Sequence, residues 1–171
     1  MLISKTIQMR LITEDDAEFI TELRSDGKYN TYLSKSDTSV EAQKEWIRAY
    51  KLKEVNKEQF YFIIERLDGT KCGTVRIYDI KEDSFCWGSW ILNHNKTRYA
   101  AIESALLVYQ FGFEFLGFAK SHFDVMKGNE KVVNFHEKFG AVVIDEDKDN
   151  LYFNISKDAV EKCKEKFGGI I

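Results

Sequence analysis

The amino-acid sequence predicts an α+β fold: a mixed, mostly antiparallel central sheet of about seven strands flanked by helices. Three observations carry this expectation. Residues 59–66, 71–80 and 84–92 are aromatic and β-branched runs joined by short turns, the first of them Asp68-Gly69. A long apolar segment, residues 100–116, then separates two strand-like runs, so a helical crossover makes those strands parallel or nearly so. The elements also follow one another with short gaps and no Gly/Ser-rich linker, so residues 1–171 read as a single domain.

Each element has a local reason. Ile7 to Ile12 alternates as a first strand. Thr13 offers an N-cap, and Glu14, Asp15 and Asp16 favour a helix start that carries Ala17, Phe19, Ile20 and Leu23 on its apolar face. Residues 28–37 read as loop or broken helix, and Thr38 with Glu41 makes a capping-box pattern ahead of Trp46, Ile47 and Tyr50. After the three strands, residues 100–116 form a helix closed by Gly117. Residues 120–126 are the next strand, and residues 129–139 a short amphipathic helix closed by Gly140. Residues 141–145 and 151–155 pair as a hairpin, and Ser156 starts a polar terminal helix.

Composition narrows the function classes. With 171 residues, 44% hydrophobic and 31% charged, the chain is an ordinary globular one that can bury a core without disulfides. A formal net charge of -3 removes a bulk basic surface as a reason for nucleic-acid binding. Cys72, Cys86 and Cys163 make no CxxC pair, which fits unpaired thiols in a reducing, cytoplasmic setting. The amino-terminal residues lack the pattern of a signal peptide. The most apolar stretch carries Glu103, Gln110 and Glu114, so it reads as a helix buried in protein rather than in a membrane. His94 and His122 lack metal-ligand spacing, and no metal is expected; His122 reads as a structural residue of its strand. No P-loop or GxSxG pattern occurs, and Cys86 has no evident base partner.

Three segments resemble one family. They are Gly73–Ile77 (GTVRI) with Trp87–Leu92 (WGSWIL); the loop 93–99 running into AIESAL; and Asn129 followed by NFHEKFGA at 134–141. Together with the element order they resemble the GCN5-related N-acetyltransferase superfamily, in the branch similar to ribosomal-protein alanine acetyltransferases. The family's loop usually reads Arg/Gln-x-x-Gly-x-Gly/Ala, whereas here Asn95 to Ala101 reads NKTRYAA without glycines. The resemblance implies the acyl-CoA N-acyltransferase fold, with the strand at 84–92 splayed from the strand at 120–126. It implies acetyl-CoA as co-substrate and a primary amine as acceptor, acetylated by direct attack.

The resemblance also implies roles. The loop ahead of Ala101 enters a helix N-terminus, whose free N–H groups and dipole suit a pyrophosphate. Lys96, Thr97, Arg98, Tyr99, Ala100 and Ala101 are therefore cofactor-binding candidates. Ile91 and Leu92 would pair through their backbones with an extended thioester tail, and Asn129 and Phe135 would hold it further on. Asn129 alone also reads as an N-cap. Trp87 and Trp90, by strand alternation, point to opposite faces, with Ser89 on the face of Trp87. Trp87 and Tyr78 are candidate acceptor contacts.

His136 stands where the family usually places a tyrosine that protonates the leaving thiolate. It is therefore a candidate acid with a raised pKa, a neutral hydrogen-bond donor, or the base for the amine. Ser89, through a water, is the second catalytic candidate, with Asp79 and Glu65 as further candidate bases. The aromatic-rich strands suit an amino sugar, such as a nucleotide-linked one. A protein N-terminus or a polyamine is the alternative acceptor, and a non-catalytic acyl-CoA-binding module the alternative class. The expected partner is a small-molecule amine, with neither nucleic acid nor membrane, on a monomer or homodimer.

Overall fold

The computed structural model describes residues 1–31 and 39–168. Its elements are β1 (Leu2–Ile3), β2 (Ile7–Leu11), a 3₁₀ turn (Glu14–Asp16), α1 (Ala17–Ser25), α2 (Val40–Val55), β3 (Phe60–Arg66), β4 (Lys71–Tyr78), β5 (Ser84–Leu92) and α3 (Ala100–Gln110). A π-helical turn (Phe111–Phe115), β6 (Lys120–Met126), α4 (Glu130–Phe139), β7 (Val142–Glu146), β8 (Asn150–Ser156) and α5 (Lys157–Lys166) complete it. The eight strands form one sheet in the order β1-β2-β3-β4-β5-β6-β8-β7. Every neighbouring pair is antiparallel except β5 and β6. The expected strand count falls short because β1 is a two-residue strand, too short to leave a periodic signal.

Strand alternation divides the core. Phe60, Phe62 and Ile64 of β3 face a large cluster with α3, while Tyr61 and Ile63 face a smaller one with Ile20 of α1 and Ile47 and Tyr50 of α2. Helices therefore cover both faces of the sheet.

Three expected helices differ in detail. The chain after Thr13 makes a 3₁₀ turn before α1, because the Asp16 carboxylate turns back to accept from the Thr13 N–H at 2.8 Å. Thr38 and much of the predicted loop at 28–37 lie outside the described residues; α2 is capped by Ser39, whose hydroxyl accepts from the Ala42 N–H. The helix predicted to reach Leu116 is regular only to Gln110, then widens. The wide turn sends Phe111 onto Phe60 and Phe62, with ring centroids at 4.9 and 5.2 Å, and Phe113 onto Phe85 at 5.6 Å. Gly112 is required there: a Cβ would lie 2.2 Å from the Phe85 ring.

Candidate functional site

The strand pair β5 and β6 creates the site by parting. Only Ser84↔Lys120 and Phe85↔Ser121 pair. Among the described residues the rest of β5 on that side has no strand partner, while its other edge pairs with β4 as far as Gly73↔Leu92. Unpaired strand amides and carbonyls seek partners, so this edge can take an extended chain as an added strand. The gap opens into a cleft of about 570 Å³.

A bulge shapes its wall. Thr74 pairs with Ile91 and Arg76 with Gly88, so β5 carries one extra residue there. Ser89 absorbs it with a left-handed φ of 47°, and the Thr74 hydroxyl donates to the Ser89 carbonyl at 3.2 Å. The extra residue cancels the alternation expected for the two tryptophans. Trp87 and Trp90 lie on the same side, with centroids 5.1 Å apart. Both reach α3: Trp87 Nε1 donates to Tyr109 at 3.2 Å and Trp90 Nε1 to Ser104 at 3.1 Å.

His136 projects from α4 into this aromatic wall. It is 5% exposed and lines the cleft. Its ring lies 4.2 Å from the Phe123 centroid and 5.4 Å from that of Trp87. Nδ1 is buried without a hydrogen-bond partner among the described residues. Burial pushes the imidazole pKa down to about 3, because the charged form loses its water and gains no anion. His136 is thus neutral at physiological pH, which overturns the acid with a raised pKa. A group so weakly basic is also a poor acceptor of an amine proton.

The cleft gathers eleven of the residues singled out in the sequence: Tyr78, Trp87, Ser89, Trp90, Ile91, Leu92, Lys96, Ala101, Asn129, Phe135 and His136. Asn129 makes no side-chain cap to α4, so its expected capping bond is not formed. Thr97, Arg98, Tyr99 and Ala100 do not line the cleft. The Thr97 hydroxyl is 2.7 Å from that of Thr6, and buried Glu103 accepts from Thr6 and Ser4, which pins the loop to the β1–β2 turn. Arg98 stacks over Tyr99 at 5.2 Å, and Ala100 is buried.

Two candidate bases have other work. Glu65 accepts from Gln8 at 2.8 Å and from Arg10 at 3.3 Å. Asp79 pairs with His122 Nε2 at 3.0 Å, while His122 Nδ1 meets Ser84 at 2.6 Å, in line with the structural reading of His122. Cys86 is buried and its thiol pushed up to about 12, which removes it as a nucleophile.

Sequence reading missed Arg76 and Asp124, which line the same cleft. Their signal was present: each is a charged residue interrupting an apolar strand, with its apolar neighbours Val75 and Phe123 buried. Arg24 and Lys28, at the end of α1 and just beyond, join them. Among the described residues the cleft lining holds five cations (Arg24, Lys28, Arg76, Lys96 and Lys131) against one carboxylate, Asp124. This sits in a chain whose net charge is -3.

Comparison with known proteins agrees with this geometry. The family model of the acetyltransferase (GNAT) domain matches residues 6–142. The solved structure of apo FdhC, described as a nucleotide-linked sugar GNAT, is 54% identical, with a TM-score of 0.91 over 98% of this chain and 96% of that one. Ribosomal-protein-S5-alanine acetyltransferase from Vibrio fischeri is similar at 16% identity and a TM-score of 0.79, covering 92% and 96% of the two chains. Spermidine N-acetyltransferase from Vibrio cholerae, solved with CoA and spermine, gives 18% and 0.78, covering 91% and 98%. At such identities these last two share the fold alone. A search of curated proteins finds no match. The parted strands, the bulge and the matched domain lead to one conclusion: the chain belongs to the GNAT acetyltransferase family.

Proposed function

We propose that the protein transfers an acetyl group from acetyl-CoA to the primary amine of a nucleotide-linked amino sugar, in the cytoplasm. The observation that carries this is the 54% identity, over nearly the whole chain, to a nucleotide-linked sugar GNAT. The cation excess of the cleft supports it, since a nucleotide-linked sugar is anionic and a polyamine is not. Among the described residues no helix is long and apolar enough to cross a membrane.

In this reading the pantetheine arm of the donor lies along the free edge of β5. The backbones of Ile91 and Leu92 pair with its amides, and Asn129 and Phe135 border it from α4. Lys96 and the α3 terminus at Ala101 take its phosphates. The amine attacks the thioester carbonyl directly; the C–N bond forms, the C–S bond breaks, and no acyl-enzyme intervenes. Holding both reactants in one cleft supplies much of the barrier reduction, up to roughly 7–11 kcal/mol for well-aligned groups.

Two side chains assist. His136, neutral and with Nδ1 sealed off, presents its other nitrogen toward the sulfur as a donor and stabilises the departing thiolate. Asp124 attracts the acceptor's ammonium, and its carboxylate passes the amine proton toward solvent. Ser89 holds the bulge that shapes the wall. Tyr78 lies over Gly88, where a Cβ would meet its hydroxyl at 3.0 Å, and floors the acceptor end with Trp87 beyond it.

The test is release of free CoA thiol from acetyl-CoA against a panel of nucleotide-linked amino sugars, spermidine and a peptide with a free N-terminus. Turnover restricted to the nucleotide-linked sugars is expected. Turnover on spermidine or the peptide alone would overturn the acceptor, and donor binding without turnover on any amine would point to a binding module.

A further inference from the structure

We propose that Arg76 reads the diphosphate of the acceptor, which makes it the residue that separates a nucleotide-linked sugar from a free one. This rests on the nucleotide-linked reading above. Arg76 pairs with Tyr61 across β3–β4 and with Gly88 across β4–β5, so it stands beside the Ser89 bulge. Its guanidinium lies over the Tyr78 ring at 4.4 Å, and 5.9 Å from the rings of Trp46 and Tyr61.

These aromatic neighbours fix the guanidinium without neutralising it. Among the described residues its buried Nε finds no hydrogen-bond partner, and neither does the buried Tyr61 hydroxyl. Among the described residues no carboxylate pairs with Arg76. The contrast lies on the same sheet: Arg10 is saturated by Asp16 and Glu65. A structural arginine of this burial usually finds such an acid. One that lines a cleft, held by rings and left without an anion, is prepared for an anion from outside.

The position suits the diphosphate rather than the donor's phosphates. Arg76 and Tyr61 lie on the sheet face covered by α1 and α2, whereas Trp87, Trp90 and His136 cluster on the α3 face. The gap between β5 and β6 joins the two faces. A sugar amine reaching through it toward His136 leaves its nucleotide behind, beside Arg76, in a cleft that Lys28 also lines. A planar fork matches two phosphoryl oxygens, and a lysine ammonium does not reproduce that match.

The experiment compares steady-state kinetics on one amino sugar with and without its nucleotide. Arg76→Met is expected to raise KM for the nucleotide-linked sugar by about 20-fold or more, with kcat within about threefold. KM for acetyl-CoA and kcat/KM for the free sugar stay within about threefold, and Arg76→Lys falls between. A structural role would move all of these together. A wild-type arm keeps the proposal testable if the variant unfolds. Raising salt from about 50 to about 500 mM should raise KM for the nucleotide-linked sugar but not for the free one. Nucleoside 5′-diphosphates should compete with that substrate while the unphosphorylated nucleosides do not. Equal KM in wild type and Arg76→Met, or equal salt response of both sugars, overturns the proposal and leaves the acceptor assignment standing. Absence of turnover on any nucleotide-linked sugar by the wild type overturns both.

Discussion

Ser121 closes the last rung between β5 and β6: its hydroxyl donates to the Phe85 carbonyl at 2.7 Å. Both residues are fully buried. Beyond them the strands separate, so this contact marks the apex of the wedge on which the site is built.

His136 supplies the first kinetic expectation. His136→Phe keeps the ring packing with Phe123 and Trp87 but removes the donor. Turnover should fall by about 10²-fold, the low end for a positioned proton donor, while KM for acetyl-CoA stays within about threefold. His136→Tyr, which retains a donor, should lose less. Unchanged turnover in His136→Phe, measured by thiol release, would remove the residue from the chemistry.

The same burial predicts acid sensitivity. The folded imidazole titrates at about 3, whereas an unfolded one titrates at about 6.5. The unfolded chain therefore binds the proton first. The stability contributed by this group is complete above about pH 6.5 and is lost as pH falls from there toward 3. Thermal melts between pH 7 and pH 5 should show a smaller drop in Tm for His136→Phe than for the wild type. Equal drops would contradict the desolvated histidine.

Asp124→Asn keeps the shape of the cleft and removes its one carboxylate among the described residues. We expect kcat/KM for the amine to fall by about 10²-fold, with recovery as pH rises and the free amine becomes abundant. A loss independent of pH would assign Asp124 to packing instead.

Much of this was legible in the sequence, and the misses have physical causes. The strand at Ser84–Leu92 was readable from its aromatic density, and its parallel partner from the apolar helix between them. The facing of Trp90 was not, because alternation counts residues and a bulge adds one; only the left-handed Ser89 reveals it. His136 was found through its place in a motif, but its protonation was not, since five surrounding aromatic rings come from β5, β6, α4 and β8. Arg76 and Asp124 escaped because a single charged residue in a strand reads as a solvated face until the opposite wall is known. The loop candidates Thr97 to Ala100 do not line the cleft, and the contact that holds Thr97 away from it, with Thr6, comes from a residue distant in sequence.

Stability should depend on Asp16. It is 1% exposed and binds Arg10 through both carboxylate oxygens at 2.8 and 2.9 Å, with Lys71 at 2.8 Å. These partners hold its carboxyl well below the usual range although burial opposes them. Its contribution is present above the unfolded value of about 4 and is lost as pH falls below it. Asp16→Asn should cost about 2–4 kcal/mol in denaturant unfolding at neutral pH, because two cations lose their anion. A loss under about 0.5 kcal/mol would show the cluster to be a surface feature.

Amide hydrogen exchange on CoA binding tests the wedge most directly. Slower exchange is expected within residues 86–92 of β5 and at the start of α4 near Asn129, with the strands β1 and β2 unaffected. Protection that bypasses residues 86–92 would mean the thioester tail does not enter between β5 and β6, and the account built on that gap would fall.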